Sequence, residues 1–248
     1  MKHPWDFWAC GQRCASPPRA ESLTCRSPSH LLLWFESNGS HRHRRVTPPE
    51  SSLEDARTSL RAFIRRLRRS VSPAERASAA RSIARLADHE LHLRHGTRVA
   101  LYASMPEEID TTEVIDLALR RGCRVYLPRI HGHRLARAMH FAESGERQRF
   151  NRFGIPEPHG AQGLSARSLD IVFVPLVGFD RHGARLGMGG GYYDRALAFR
   201  RTRTVWRAPL LVGLGYALQE VERITPAAHD VPLDLVITER GVIHCTHS

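Results

Sequence analysis

The spacing of apolar and polar positions separates an unpatterned opening stretch from a regularly patterned remainder. From Leu53 onward, Leu60, Phe63, Ile64, Leu67 and Val71 recur at helical spacing, with Arg57, Arg61, Arg65 and Arg68 grouped on another face. Ser72-Pro73-Ala74-Glu75 reads as a capping box with proline at the first helical position. A second helix therefore starts there and runs through Ala80, Ile83, Ala84 and Ala87. Beyond Arg98 the period shortens. Val99–Ala103 predicts a strand; Thr111 or Thr112 caps a helix through Val114, Ile115, Ala118 and Leu119 that ends at Gly122. Arg124–Leu127 predicts the next strand, stopped by Pro128. Residues 131–168 read as irregular, apart from a short strand over Ala138–Phe141 and the turn-rich Gly154–Pro158. A strand over 170–174, a glycine-rich loop, a helix over 191–200 and strands at Leu210–Leu214 and Leu235–Thr238 complete the pattern. No internal repeat is visible.

The β-α-β spacing implies parallel pairs joined by right-handed crossovers. The expected fold class is α/β: a single open, mostly parallel sheet with helices on both faces and two N-terminal helices before the first strand. Residues 1–50 mix Pro, Ser, Arg, His and Trp with neither period. Such a stretch buries too little apolar surface to offset its ordering entropy, so it is expected to be a disordered N-terminal extension, with residues 51–248 forming the α/β domain. A metal site built from Cys10, Cys14, Cys25, His41 and His43 lacks recognisable ligand spacing.

Composition changes this picture in one respect. The net charge is +12, and Lys2 is the only lysine among 37 Lys and Arg residues. A basic balance favours anionic ligands, although an arginine-favouring codon composition accounts for it more simply than a nucleic-acid surface does. None of the five cysteines forms a C-x-x-C pair, which fits a reducing, cytoplasmic setting. No apolar run approaches the roughly 18 residues of a membrane span, so no membrane partner is expected. With no exposed apolar seam demanding a second copy, a monomer is expected.

The candidate chemistry centres on Asp180–Arg195. Four of the 18 glycines, Gly187, Gly189, Gly190 and Gly191, fall within five residues of one another, followed by Tyr192, Tyr193 and Asp194. A glycine-rich loop between a strand and a helix exposes backbone N–H groups to an anion. Neither G-x-x-x-x-G-K-[ST] nor G-x-G-x-x-G is present; the latter would need glycine at Tyr192. A surface turn does not require four glycines, whereas close approach of backbone to a ligand does. Arg185 suits a phosphate, Tyr192 and Tyr193 a planar ring, and Asp194 a Mg²⁺ ion beside phosphates; the plainer roles are a solvated charge, one core and one exposed tyrosine, and an acid complementing a helix start. His229-Asp230 offers a second carboxylate before the last strand.

Read together, Asp180-x-x-Gly183-x-Arg185-Leu186-Gly187-Met188-Gly189-Gly190-Gly191-Tyr192-Tyr193-Asp194-Arg195 resembles the signature of the 5-formyltetrahydrofolate cyclo-ligase family. Ser104–Thr111, Leu127-Pro128-Arg129, Gly154–Pro158 and His229-Asp230 extend the likeness over roughly residues 55–240, in the family's order. The resemblance implies an ATP-dependent closure of 5-formyltetrahydrofolate, bare or polyglutamylated, to 5,10-methenyltetrahydrofolate, with ADP and phosphate released. It implies ATP and Mg²⁺ as cofactors and no nucleic-acid partner. Carried over by motif, Arg57, Arg61 and the loop Arg185, Leu186, Gly187, Met188, Gly189, Gly190, Gly191, Tyr192 and Tyr193 would bind the nucleotide. Ala103, Glu108, Met188, Gly189, Gly190, Gly191 and Tyr192 would meet the folate, Arg185 and Tyr192 would be catalytic, and Asp194 and Asp230 would hold Mg²⁺. Two positions depart from the family pattern: Arg57 stands where lysine is usual in Lys-x-x-x-Arg, and Gly190 where some members carry lysine. Arginine keeps the charge but changes the donor geometry. The competing reading, a basic nucleic-acid-binding protein on the same fold, predicts binding with a steep salt dependence.

Overall fold

The computed structural model describes residues 50–130, 139–144, 148–150, 156–158, 163–203 and 208–246. The chain divides into Met1–Pro49 and Glu50–Ser248, and the described residues all belong to the second unit. The expected disorder of residues 1–50 therefore concerns positions almost wholly outside the described residues, as do Ala138, Gly154 and Ile155.

Helix α1 spans Glu50–Arg69 and α2 spans Pro73–Leu91. The start of α2 is capped as its sequence predicts: Ser72 Oγ accepts from Glu75 N at 3.3 Å, and Ser72 N donates to Glu75 Oε2 at 2.8 Å. The facing of α1 differs from the apolar pattern. Phe63 is 48% exposed, whereas Arg68 is 2% exposed and Ile64 is fully buried. The arginines do not form a separate outward face; Arg57, Arg61 and Arg68 share the inner side with Leu60 and Ile64. Apolar periodicity missed this because polar partners for those guanidinium groups come from distant parts of the chain.

The main sheet begins with β1 (Arg98–Ala100), shorter than the five-residue run in the sequence. It continues through α3 (Thr112–Arg120), β2 (Arg124–Ile130) and β3 (Met139–Glu143). Two short strands, β4 (Gln148–Phe150) and β5 (Pro156–Pro158), pair with each other in a stretch expected to be irregular. Then follow β6 (Ile171–Val174), the small hairpin β7 (Gly178–Phe179) and β8 (Arg185–Leu186), and helix α4 (Tyr192–Leu197). The last strands are β9 (Leu210–Leu214), β10 (Leu235–Thr238) and β11 (Gly241–His244). The sheet order is β11-β10-β9-β6-β1-β2-β3. The five inner strands are parallel, and β3 and β11 close the two edges antiparallel.

Pro128 does not stop β2. It lies opposite Phe141 of β3, but the Phe141 N–H and carbonyl both turn away to Leu164, at 2.9 and 2.7 Å. A residue without an N–H therefore removes no bond from this pair. At α3, Thr111 occupies the cap position, yet its hydroxyl donates to the Tyr102 carbonyl (2.6 Å), and Asp110 Oδ1 accepts the Thr112 N–H (2.9 Å).

Every position of β6 and β10 is buried, as expected for parallel strands covered on both faces. On one face Val172, Val174, Leu211 and Val236 pack against Leu197 and Phe199 from α4 and the turn after it. On the other, α2 and α3 pack on each other and on β10 and β2. Each buried aliphatic side chain contributes about 1.5–3 kcal/mol, so the centre of the sheet is a rigid platform for the loops at its carboxyl ends. Among the described residues no helix is long and apolar enough to cross a membrane.

Candidate active site

Open α/β sheets bind ligands beyond the carboxyl ends of their strands, and β6 delivers the chain there directly into the β7–β8 hairpin. Asp180, the first residue of the glycine motif, is fully buried. Its Oδ1 accepts from His182 N (2.9 Å) and Ala184 N (3.0 Å), and its Oδ2 accepts from Ile224 N (2.9 Å). Its work is to fix the hairpin. Leu186 likewise packs its side chain among Ile64, Val177 and Ile224. Past the buried Arg185 and Leu186, the motif returns to the surface at Gly187.

Gly189 (φ 88°) and Gly191 (φ 61°) are left-handed, a conformation strained for any side chain. A Cβ at Gly187 or Gly189 would meet nothing within 4 Å. Open space thus lies against the backbone, as close approach of a ligand requires. Gly189–Gly191 border a cavity of about 300 Å³ whose other walls are Asp194, Arg195, Ala198, Arg201 and His229.

Three distant segments meet around this loop. Arg185 is buried and donates through Nη2 to Asp194 Oδ1 (2.6 Å) and through Nη1 to the Val231 carbonyl. Val231 N also donates to Asp194 Oδ1 at 3.3 Å. From α1, Arg57 Nη1 reaches Asp230 Oδ2 and the Thr225 carbonyl, each at 2.9 Å. One turn further along, Arg61 Nε donates to the Gly187 carbonyl at 3.0 Å. The two α1 arginines, the glycine loop and the His229-Asp230 loop are thereby one site.

A second cluster lies behind Tyr193. Glu108 is partly buried and accepts the Met105 N–H on Oε2 at 3.0 Å. Burial pushes its carboxyl above the usual glutamate range, against the lowering effects of that bond and of Arg68. Burial and then the Glu108 charge push the phenols of Tyr102 and Tyr193 upward. The Tyr193 hydroxyl is buried without a hydrogen-bond partner among the described residues. Arg68 donates to the Leu176 carbonyl (3.4 Å) and lies 3.7 Å from Glu107; burial lowers its pKa, and Glu108 and then Glu107 raise it. The charge of Glu108, on the loop after β1, thus reaches the Tyr193 phenol of the glycine motif. Ala103, half-buried, lies on the same loop.

The site residues predicted for nucleotide and metal thus come together, apart from the inward Leu186 side chain. Met188 stands 52% exposed on the loop. Arg195, Arg201 and His229 as cavity walls, and Arg68 and Tyr102 beside Glu108, were not among the predicted ligand contacts. For the expected Mg²⁺ the donors would be two carboxylates, Asp194 and Asp230, linked through the Val231 backbone, each with one oxygen on an arginine. Among the described residues no third acid, histidine or cysteine completes a metal cluster. Mg²⁺ is commonly bound by one or two carboxylates together with substrate phosphates, and the oxygens that would face it are Asp194 Oδ2 and Asp230 Oδ1, the latter 3.8 Å from His229 Nε2.

A mostly parallel sheet with a glycine loop and buried arginines at its carboxyl ends places the chain among the open-sheet α/β proteins. Comparison with known proteins narrows the class. Residues 54–239 match the model of the 5-formyltetrahydrofolate cyclo-ligase family. The 5-formyltetrahydrofolate cyclo-ligase of Haemophilus influenzae is 35% identical over 182 residues, covering 71% of this chain and 94% of that protein. The Escherichia coli K12 cyclo-ligase is 36% identical over 149 residues, covering 58% of this chain and 79% of its own length. The solved structure of Aquifex aeolicus 5,10-methenyltetrahydrofolate synthetase superposes with a TM-score of 0.62 at 28% identity, covering 77% of this chain and 94% of that one. The chain belongs to the 5-formyltetrahydrofolate cyclo-ligase family, a family of enzymes.

Proposed function

We propose that this chain closes 5-formyltetrahydrofolate to 5,10-methenyltetrahydrofolate at the expense of ATP, in the cleft bounded by the glycine loop. The observation that carries the reading is the convergence of Arg57 and Arg61 on Asp230 and Gly187. It joins three motifs far apart in sequence around one open stretch of backbone.

A formyl oxygen is a poor leaving group, and phosphorylation makes it a good one. In the proposed reaction the formyl oxygen attacks the terminal phosphorus of ATP and ADP leaves. N10 then attacks the activated carbon and gives up its proton, and the oxygen departs as inorganic phosphate. Phosphoryl transfer demands mainly positioning and charge stabilisation. Gly187–Gly191 present backbone to the phosphates, and Arg185, bonded to Asp194 and the Val231 carbonyl, holds the Asp194 carboxylate in place beside them. Mg²⁺, held by Asp194 and Asp230, would neutralise phosphate charge. On the folate side, Glu108 accepts hydrogen bonds from a donor edge when ionised, and Tyr192 and Tyr193 bound the space between folate and nucleotide.

Purified protein with 5-formyltetrahydrofolate and MgATP is expected to form the methenyl chromophore with one ADP per product. No ATP-dependent absorbance change from folded protein overturns the reading. Asp194→Ala is expected to lose activity at ordinary Mg²⁺ concentration; full retention removes Asp194 from the metal site.

A further inference from the structure

Arginines crowd the carboxyl end of the sheet, and most are neutralised. Arg185 pairs with Asp194 at 2.6 Å, Arg57 with Asp230 at 2.9 Å and Arg61 with Glu54 at 2.7 Å. Two arginines in the cleft are held differently. Arg195 Nη2 donates to the Gly190 carbonyl at 2.8 Å, and Arg201 Nη1 donates to the Ala228 carbonyl at 2.7 Å. Among the described residues neither is in an ion pair with a carboxylate. A backbone carbonyl fixes a guanidinium without cancelling its charge, and most of the five N–H donors remain for a ligand.

The placement is specific. The Arg195 guanidinium carbon lies 5.2 Å from the centre of the Tyr192 ring, and Nη1 would stand 2.8 Å from a Cβ built at Gly191. The side chain therefore folds back along the glycine loop. Both arginines and Gly189–Gly191 line the same cavity. Asp194 is the carboxylate in that lining, and its Oδ1 is already engaged by Arg185.

We propose that Arg195 and Arg201 form a polyphosphate clamp, gripping the phosphate oxygens of a nucleoside triphosphate laid against Gly189–Gly191. This rests on the ATP reading above and names residues that supply its fixed positive charge. With no lysine after Lys2, the planar guanidinium fork is the cationic donor this chain has, and it matches phosphate oxygens two at a time. The carboxylates of a glutamyl tail offer the same anionic chemistry. Phosphate is the better occupant because the cleft also holds Asp194, which suits a Mg²⁺ ion shared with phosphates.

Calorimetric titration of the full chain tests the clamp, using MgATP, inorganic tripolyphosphate and 5-formyltetrahydrofolate, each alone. Arg195→Met and Arg201→Met are each expected to weaken ATP and tripolyphosphate binding about tenfold or more, the scale of a lost charge-assisted hydrogen bond. Folate affinity is expected to stay unchanged, and Arg195→Lys to recover part of the loss. Arg201 bonds the Ala228 carbonyl and not the glycine loop, so its variant remains informative if Arg195→Met disturbs the loop. ATP bound by both variants as tightly as by wild type overturns the clamp, as does a loss confined to folate. Wild-type protein that binds folate but neither ATP nor tripolyphosphate overturns the ATP reading itself, a result distinct from the first two.

Discussion

Exposed and buried arginines around the parallel sheet do different work. At the amino ends of β1 and β2, Arg98 pairs with Asp170 at 3.0 Å and Arg124 with Glu143 at 2.8 Å, each arginine beside its own acid. These groups are about half in water: Arg98 and Asp170 are 40% and 43% exposed. At the carboxyl ends the cations are sunk into the fold. Arg185 is 4% and Arg68 2% exposed, and backbone carbonyls share in holding them. Exposed pairs are screened and contribute little. Buried ones hold their geometry because an unpaired buried charge is intolerable. One residue type thus neutralises a surface where it is exposed and fixes loop geometry where it is buried, as the Arg200–Asp234 pair before β10, 7% and 13% exposed, also shows.

The contrast breaks most visibly at Arg185. Arg185→Met leaves the Asp194 carboxylate without its buried partner, and destabilisation of about 3–5 kcal/mol is expected. Chemical denaturation measures it, and a change no larger than that of a surface pair erases the distinction between exposed and buried pairs.

The next effect is a pH dependence. Burial raises the Glu108 carboxyl above its ordinary value of 4.5. Its protonated form is the one the fold favours, so its contribution is present below that value and is lost as pH rises through the raised one. Glu108→Gln stays neutral, and its melting temperature is expected to gain on wild type between about pH 4 and about pH 7. A constant gap across that range contradicts the assignment.

Asp170 is expected to behave with the opposite sign and the smallest amplitude. Burial pushes its carboxyl up, but the hydrogen bonds and charge of Arg98 outweigh it and hold the pKa below 3.8. That contribution is present above the ordinary value and is lost as pH falls through the depressed one. Asp170→Asn is expected to cost about 0.5 kcal/mol near neutrality, a cost shrinking in acid and in salt. Melting curves against pH and ionic strength check it; an effect as large as that of Arg185→Met puts this pair in the buried class.

Much of this architecture is legible in residue order. The Ser72–Glu75 cap, the inner strands and the glycine loop each carry a local signal, and Asp194 and Asp230 stand out as acids beside loops. Other features depend on partners that no local window contains. Arg68 reads as a surface charge by periodicity and is buried because Leu176 and Glu107 meet it. Asp180 reads as part of a ligand motif, yet the Ile224 N–H across the fold makes it a structural anchor. The edge strand β11 has only half-exposed or exposed residues and no alternation to betray it. In so arginine-rich a chain, charge alone could not single out Arg195 and Arg201. What distinguishes them is that carbonyls, instead of acids, hold them on the wall of the glycine-loop cavity.

The most direct test of an ATP-driven closure at the carboxyl end follows the formyl oxygen. With 5-formyltetrahydrofolate carrying heavy oxygen in the formyl group, mass spectrometry of the released inorganic phosphate is expected to find one labelled oxygen per methenyl product. Product formed with unlabelled phosphate, and the label in water instead, contradicts phosphorylation of the formyl oxygen.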